Sequence, residues 1–160
     1  MKNIYRIDTM LSLEEKEYLL NLANTIGDDV YDYNYNQIDK NLYLLDFQKK
    51  VKNFLNKNYS NVKYKFGNIW INKITPERID SLEYHIDGSD LTIITYINSN
   101  FTGGEFEYIL NNKVNKIKIE EDMCLVMDTP INHRICKVNT GIRYSLSFFL
   151  DIDYGKKTFI

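Results

Sequence analysis

The stretch Tyr84-His85-Ile86-Asp87 decides how the rest of the chain is interpreted, because it holds one of only two histidines in 160 residues. The other histidine opens the segment His133-Arg134-Ile135. His85 and Asp87 would point in nearly opposite directions on a helix, whereas on a strand they share one face about 6.6 Å apart. Only a strand therefore lets both reach one ion. Two histidines and one carboxylate, without a fourth protein ligand, form the facial set that leaves coordination positions open on non-haem Fe(II).

The spacing of apolar residues changes from helical to alternating at residue 63. Before it, Ser12 and Glu15 form a capping-box pattern for a helix over residues 13–26. A polar loop over residues 28–40 follows, and the apolar spacing beyond it predicts a second helix that ends near Asn58. From residue 63 onward the alternation is that of strands. Eight are predicted: Tyr64–Ile71, Ile86–Asp87, Leu91–Ile97, Glu105–Leu110, Val114–Ile119, Met123–Met127, His133–Val138 and Ile142–Leu150.

Helices followed by a run of short strands predict an α+β or mainly β domain in which the helices back one sheet. The length favours a single domain over residues 1–160, with residues 1–60 as helical support and residues 63–151 as the sheet core. Gly103-Gly104 and Asn111-Asn112 are predicted turns.

The last two predicted strands are joined by Asn139-Thr140-Gly141, which is a suitable three-residue hairpin connection. In that register Val138 pairs with Ile142, Lys137 with Arg143, Ile135 with Ser145 and His133 with Ser147, so His133 and Arg143 share one face. Alternation along the final strand then turns its polar side chains toward a pocket and its apolar side chains toward a packing layer. The polar set is Arg143, Ser145 and Ser147, and the apolar set is Tyr144, Leu146 and Phe148.

Composition and charge restrict the function classes. Cys124 and Cys136 form neither a zinc motif nor a disulfide framework, which indicates a reducing compartment. The first residues carry charge too early for a signal peptide, and no apolar run is long enough to span a bilayer. We therefore expect a soluble, cytoplasmic protein without a membrane partner. The net charge of −2 gives no overall basic field for a nucleic-acid partner.

The ordered pieces His85-Ile86-Asp87, then His133, then Arg143-Tyr144-Ser145 resemble the His-x-Asp…His…Arg-x-Ser pattern of the Fe(II)- and 2-oxoglutarate-dependent oxygenases. The runs Leu91–Asn98 and Phe101–Phe106 are similar to the corresponding strand and turn of the prolyl-hydroxylase-like branch. The resemblance covers about residues 63–151.

This resemblance implies a double-stranded β-helix, or jelly roll, with Fe(II) bound by His85, Asp87 and His133. It also implies that 2-oxoglutarate is a co-substrate whose distal carboxylate is held by Arg143, with hydroxyl bonds from Ser145 and Thr95. The implied reaction consumes O2, releases succinate and carbon dioxide, and hydroxylates a C–H bond. Ascorbate is expected as a stimulant. Relatives of the prolyl-hydroxylase type often carry tyrosine where this chain has Thr95.

The leading interpretation is a dioxygenase that hydroxylates a protein or peptide. Two alternatives stay open from the sequence: an oxygenase of a free small molecule, and a jelly-roll module that binds metal or ligand without turnover. A zinc hydrolase with the same ligands is less favoured, since no nearby glutamate stands in a motif as a general base. The sequence does not indicate the oligomeric state.

Overall fold

The computed structural model describes residues 4–25, 30–32, 44–59, 63–78, 83–128 and 130–153. Within these ranges the chain forms two helices, α1 (Leu13–Thr25) and α2 (Leu45–Asn58). It also forms eleven strands: β1 (Ile4–Asp8), β2 (Val30–Asp32), β3 (Lys63–Ile74), β4 (Leu91–Tyr96), β5 (Thr102–Gly103), β6 (Phe106–Leu110), β7 (Lys113–Ile117), β8 (Met123–Asp128), β9 (Asn132–Ile135), β10 (Val138–Thr140) and β11 (Arg143–Asp153).

The capping box predicted at the start of α1 is present. The Ser12 backbone N–H donates to Glu15 Oε2 at 2.8 Å, and the Glu15 N–H donates to Ser12 Oγ at 3.2 Å. The other carboxylate oxygen of Glu15 accepts the Phe47 N–H near the start of α2 at 2.8 Å. One buried carboxylate therefore satisfies backbone donors of both helices.

The strands form a jelly roll, as the resemblance implies. Six antiparallel strands make a large sheet in the order β1-β8-β4-β11-β3-β2, three make a small sheet in the order β7-β6-β9, and β10 pairs with β5. The helices cover the outer face of the large sheet, and the small sheet faces its inner face. Fold class and helical backing are thus confirmed.

Two apolar layers account for this stacking. The outer layer joins Leu19, Phe47 and Val51 of the helices to the large-sheet residues Ile93 and Leu146. The inner layer lies between the sheets and contains the buried side chains Ile94, Tyr96, Phe106, Ile119, Met123, Leu125, Met127 and Ile131. β4 is buried along its whole length because it meets both layers.

The predicted terminal hairpin is wrong. β9 pairs with β6, whereas β11 pairs with β3 and β4, so none of the pairs Val138/Ile142, Lys137/Arg143, Ile135/Ser145 and His133/Ser147 forms. Gly141 has the expected positive φ of 76°, but it serves a crossover between sheets. A Cβ at Gly141 would lie 2.7 Å from the Asn100 carbonyl oxygen, so the crossing packs too closely for a side chain.

Four strands of the structure were not predicted. One of them, β10, occupies the predicted Asn139-Thr140-Gly141 connection and pairs with β5. β1 and β2 fall in the part of the chain predicted as helical support and loop, and both join the large sheet. β5 lies in the predicted turn at Gly103-Gly104, where both glycines have positive φ. The predicted strand Ile86–Asp87 is wrong, because that segment forms only an isolated bridge at His85. The Asn111-Asn112 turn between β6 and β7 is confirmed, with φ of 52° and 59°. No helix in the described ranges is long and apolar enough to cross a membrane.

Candidate active site

His85, Asp87 and His133 come together at one end of the space between the sheets. Their ligand atoms all lie within 4.8 Å of one another. The Asp87 Oδ1 atom is 3.7 Å from His85 Nε2 and 3.8 Å from His133 Nε2. A single ion could therefore contact all three side chains.

Neighbouring groups fix which atom each side chain presents. His85 Nδ1 lies 3.1 Å from the Glu83 carbonyl oxygen, and His133 Nδ1 lies 2.9 Å from the Ile131 carbonyl oxygen. A proton on each Nδ1 satisfies these carbonyls and leaves each Nε2 lone pair free, the arrangement usual for metal-binding histidines. The Thr92 hydroxyl donates to Asp87 Oδ2 at 2.7 Å, which leaves Oδ1 to face the two imidazoles.

Backbone pairing brings the two histidines together. The His85 N–H donates to the His133 carbonyl and the His133 N–H donates to the His85 carbonyl, both at 2.9 Å. This isolated antiparallel bridge adds the His85 segment to the free side of β9. The rings consequently lie 4.4 Å apart on the inner face.

The two histidines have different environments. The His133 ring is buried and stacks on Phe106 at 5.1 Å, whereas the His85 side chain is 52% exposed. Burial lowers the pKa of His133, against the opposing charge of Asp87. His133 is therefore kept in the neutral form that can donate a lone pair to a metal.

Arg143 is fully buried on the inner face of β11. Its Nη1 donates to Ser145 Oγ at 3.2 Å and its Nη2 donates to the Tyr96 hydroxyl at 3.3 Å. Among the described residues Nε has no hydrogen-bond partner, and no carboxylate pairs with this guanidinium. Burial lowers the pKa of Arg143 from its ordinary value, yet a guanidinium stays charged in proteins. The result is a buried cation without a counter-ion among these residues.

The prediction that Thr95 faces the pocket is wrong. Thr95 lies on the helix-facing side of β4, and its hydroxyl contacts that of Thr9 at 3.3 Å. Tyr96, one residue later, occupies the inner position beside Arg143. β4 is apolar and buried on both faces, so its sequence carries no signal of which parity points inward. The predicted alternation of Arg143, Ser145 and Ser147 toward the interior is confirmed.

A cavity of about 180 Å³ connects this site to solvent. It is lined by His85, Asp87 and His133 and by the inner residues Trp70, Asn72, Ile74, Arg78, Thr92, Ile94, Phe106, Ile135, Ser147 and Phe149. Arg143 lies beyond its inner end, since Ser147 lines the cavity and the guanidinium bonds to Ser145, about 6.6 Å further along the strand. A wider groove of about 440 Å³ adjoins the opening, between Trp70, Ile86 and Phe149.

No protein-family model matches the chain, and no curated protein sequence matches it. Comparison of the fold with solved structures is decisive, because 224 chains match. The viral collagen prolyl hydroxylase of Paramecium bursaria Chlorella virus-1, in a 2OG complex, aligns over 92% of this chain and 94% of its own, with a TM-score of 0.75 and 19% identity. This chain has the prolyl-hydroxylase fold.

Two other solved structures support the same assignment of fold. A prolyl-4-hydroxylase from Pseudomonas putida aligns over 94% of this chain and 93% of its own, with a TM-score of 0.70 and 10% identity. A prolyl hydroxylase from Trichoplax adhaerens, in complex with a hypoxia inducible factor peptide fragment, aligns over 92% and 83%, with a TM-score of 0.67 and 17% identity. At these identities the prolyl-hydroxylase fold is what the comparison establishes.

Proposed function

We propose that this protein is an Fe(II)- and 2-oxoglutarate-dependent dioxygenase that hydroxylates a C–H bond in a protein or peptide. The observation that carries the proposal is the convergence of His85 Nε2, Asp87 Oδ1 and His133 Nε2 at the mouth of a cavity that runs toward the buried Arg143 guanidinium, which has no carboxylate partner among the described residues. Neither feature alone indicates this chemistry. Together they match the needs of a metal and of a dicarboxylate co-substrate.

The donor set fits Fe(II). Two imidazoles and one carboxylate on one side of an ion leave positions for the co-substrate and for O2. Each donor side chain is also held through the polar atom that does not face the site. Asp87 Oδ2 accepts from Thr92, and the Nδ1 atoms of His85 and His133 lie against the carbonyls of Glu83 and Ile131, which is the usual support for metal ligands. When bound, the iron supplies the oxygen activation that couples 2-oxoglutarate decarboxylation to succinate with hydroxylation of the substrate.

Arg143 fits the distal carboxylate of 2-oxoglutarate. Two of its five N–H groups are used by Ser145 and Tyr96, so three remain, including the one on the partnerless Nε. A carboxylate can accept two of these in the parallel geometry that a guanidinium favours. Burial raises the pKa of Tyr96, so its hydroxyl keeps a proton to donate while its oxygen accepts from Arg143. A bound dianion would supply the charge that this buried cation lacks.

A peptide substrate is favoured by the shape of the opening. The open groove beside His85 is lined by Ile86, Gly88 and the aromatic pair Trp70 and Phe149, whose rings meet edge to face at 4.9 Å. Such a surface suits an extended chain that presents one side chain to the cavity. The Trichoplax adhaerens enzyme of the same fold was solved with a peptide fragment. An oxygenase of a free small molecule remains the second candidate, favoured by the small inner cavity.

A substrate panel tests the proposal and separates it from a binding module without turnover. The protein would be supplied with Fe(II), 2-oxoglutarate, ascorbate and O2, and succinate would be measured with peptides, with small metabolites and with neither. We expect slow succinate release without substrate and a clear stimulation by some peptides. Stimulation by metabolites alone would favour the small-molecule candidate. Binding of 2-oxoglutarate with no succinate under any condition would indicate the module.

A further inference from the structure

The outer face of the small sheet carries a row of polar side chains that no step of the proposed reaction uses. Glu107 on β6 is the direct cross-strand partner of Lys116 on β7 and of Arg134 on β9. The bridge between His85 and His133 extends the sheet by one segment, and Tyr84 takes the outer position there. We call Lys116, Glu107, Arg134 and Tyr84 the outer row.

Glu107 is the centre of the outer row. Its side chain is only 3% exposed although it lies on the outer face of its sheet. One carboxylate oxygen accepts from Arg134 Nε at 2.6 Å and from the Tyr84 hydroxyl, and the other lies 3.1 Å from Lys116 Nζ. The Tyr84 ring also lies over the Arg134 guanidinium, with 4.5 Å from Cζ to the ring centroid. These contacts join the Tyr84 segment directly to β6 and β9, and through Glu107 to β7.

His85 depends on this attachment more than His133 does. His133 belongs to a strand, is buried and stacks on Phe106, whereas His85 is half exposed and lies in a segment outside the named strands. Two backbone hydrogen bonds join that segment to β9 at His85 itself. Because neighbouring side chains alternate, holding Tyr84 on the outer face turns His85 to the inner face.

We propose that the outer row is the positioning device for His85: Glu107, oriented by Arg134 and Lys116, binds the Tyr84 hydroxyl and so fixes the direction in which His85 presents Nε2. This inference rests on the proposed metal centre. Tyr84 and Glu107 are positioning residues, since neither reaches the reacting atoms. Partners that orient metal ligands typically change metal affinity by roughly 10- to 100-fold when they are lost.

The test is a Co(II) titration of the metal-free protein with Tyr84→Phe and a matched control. Tyr59→Phe is the control, because the Tyr59 hydroxyl also donates to a carboxylate, Asp128 Oδ1 at 3.1 Å, but on the helix-facing side of the large sheet. We expect Tyr84→Phe to weaken Co(II) binding about tenfold and to change the Co(II) absorption spectrum. Tyr59→Phe should bind like the parent, and the unfolding free energy would be measured for both variants.

A second variant, Glu107→Gln, keeps the shape of the central side chain and removes its charge. It should also weaken Co(II) binding. The double variant Tyr84→Phe/Glu107→Gln should lose less binding free energy than the sum of the two single losses, because both changes break one network. If Tyr84→Phe and Glu107→Gln both bind Co(II) with the affinity of the parent, the positioning role of the outer row is wrong, although the proposed metal centre still stands. Equal losses in Tyr84→Phe and Tyr59→Phe would also overturn the positioning role, since general loosening would then be the cause. If the parent itself does not bind Co(II), the proposed metal centre is wrong.

Discussion

Replacing Arg143 with lysine tests the co-substrate pocket most sharply. The change keeps a positive charge at a fully buried position but removes the planar fork. In the parent, three guanidinium N–H groups remain after the bonds to Ser145 and Tyr96, and two of them can meet one carboxylate. A single ammonium nitrogen that keeps those two partners has one N–H left, so one charge-assisted bond to the carboxylate is lost.

The expected loss follows from that count. One charge-assisted hydrogen bond contributes about 1.5–3 kcal/mol. Since about 1.4 kcal/mol corresponds to a tenfold change in Kd, the affinity for 2-oxoglutarate should fall about 10- to 150-fold. Metal affinity should hardly change, because Arg143 lies beyond the inner end of the cavity.

Isothermal titration with Mn(II) in place of Fe(II) measures this without turnover. The control ligand is 2-oxopentanoate, which has the same carbon chain without the distal carboxylate and should bind the parent and the variant equally. The control variant is Arg6→Lys, at an exposed arginine paired with Glu120, which should leave both affinities unchanged. Equal losses for both ligands would refute the reasoning, because Arg143 would then support the fold and would not bind the co-substrate.

The remaining predictions concern the metal ligands and their supports. Alanine at His85, Asp87 or His133 should each abolish 2-oxoglutarate turnover and greatly weaken Fe(II) binding in an anaerobic titration, and parental Fe(II) binding by all three would show that the triad is wrongly assigned. Thr92→Val removes the hydroxyl that orients Asp87 and should weaken Fe(II) binding roughly tenfold with the circular dichroism spectrum unchanged. Hydrogen bonds from Tyr84, which has the largest effect, and from Arg134 and Lys116 lower the pKa of Glu107 from 4.5 to about 2. The stabilisation that its charge contributes is therefore present above pH 4.5 and is lost as the pH falls toward 2. Denaturant unfolding across that range should show a steeper loss for the parent than for Glu107→Gln, and parallel curves would contradict the assignment.

The convergence of His85 and Asp87 on one face could be predicted from local spacing alone, whereas His133 was added as the second histidine of the chain and by the family resemblance. His85 and Asp87 are two residues apart, and the strand period of two brings them to one face wherever the segment pairs. The inward direction of Ser145 and Ser147 was predicted correctly for the same reason, since polar and apolar residues alternate along β11. Alternation within one strand is a local property that does not depend on the partner strand.

Pairing between strands could not be predicted in this way. His133–Val138 and Ile142–Leu150 are adjacent in sequence, so a hairpin is the default, but β11 pairs with β3 and β4 while β9 pairs with β6. These partners are distant in sequence, and alternation within one strand does not identify them. The prediction that Thr95 faces the pocket, where the structure has Tyr96, failed for a related reason. Both faces of β4 are buried, so its sequence does not show which residues point inward. Glu107 was missed because a charged residue on a strand normally indicates a solvated face.

One measurement tests the central claim most directly: a single turnover of the protein loaded anaerobically with one equivalent each of Fe(II) and 2-oxoglutarate. On admission of O2 with a stimulating peptide, we predict about one succinate per bound iron, an equal amount of carbon dioxide, and a peptide heavier by one oxygen atom. His133→Ala treated identically should give none of the three. Retention of intact 2-oxoglutarate by the loaded parent after exposure to O2 would contradict the account, because the site would then bind its ligands without reaction.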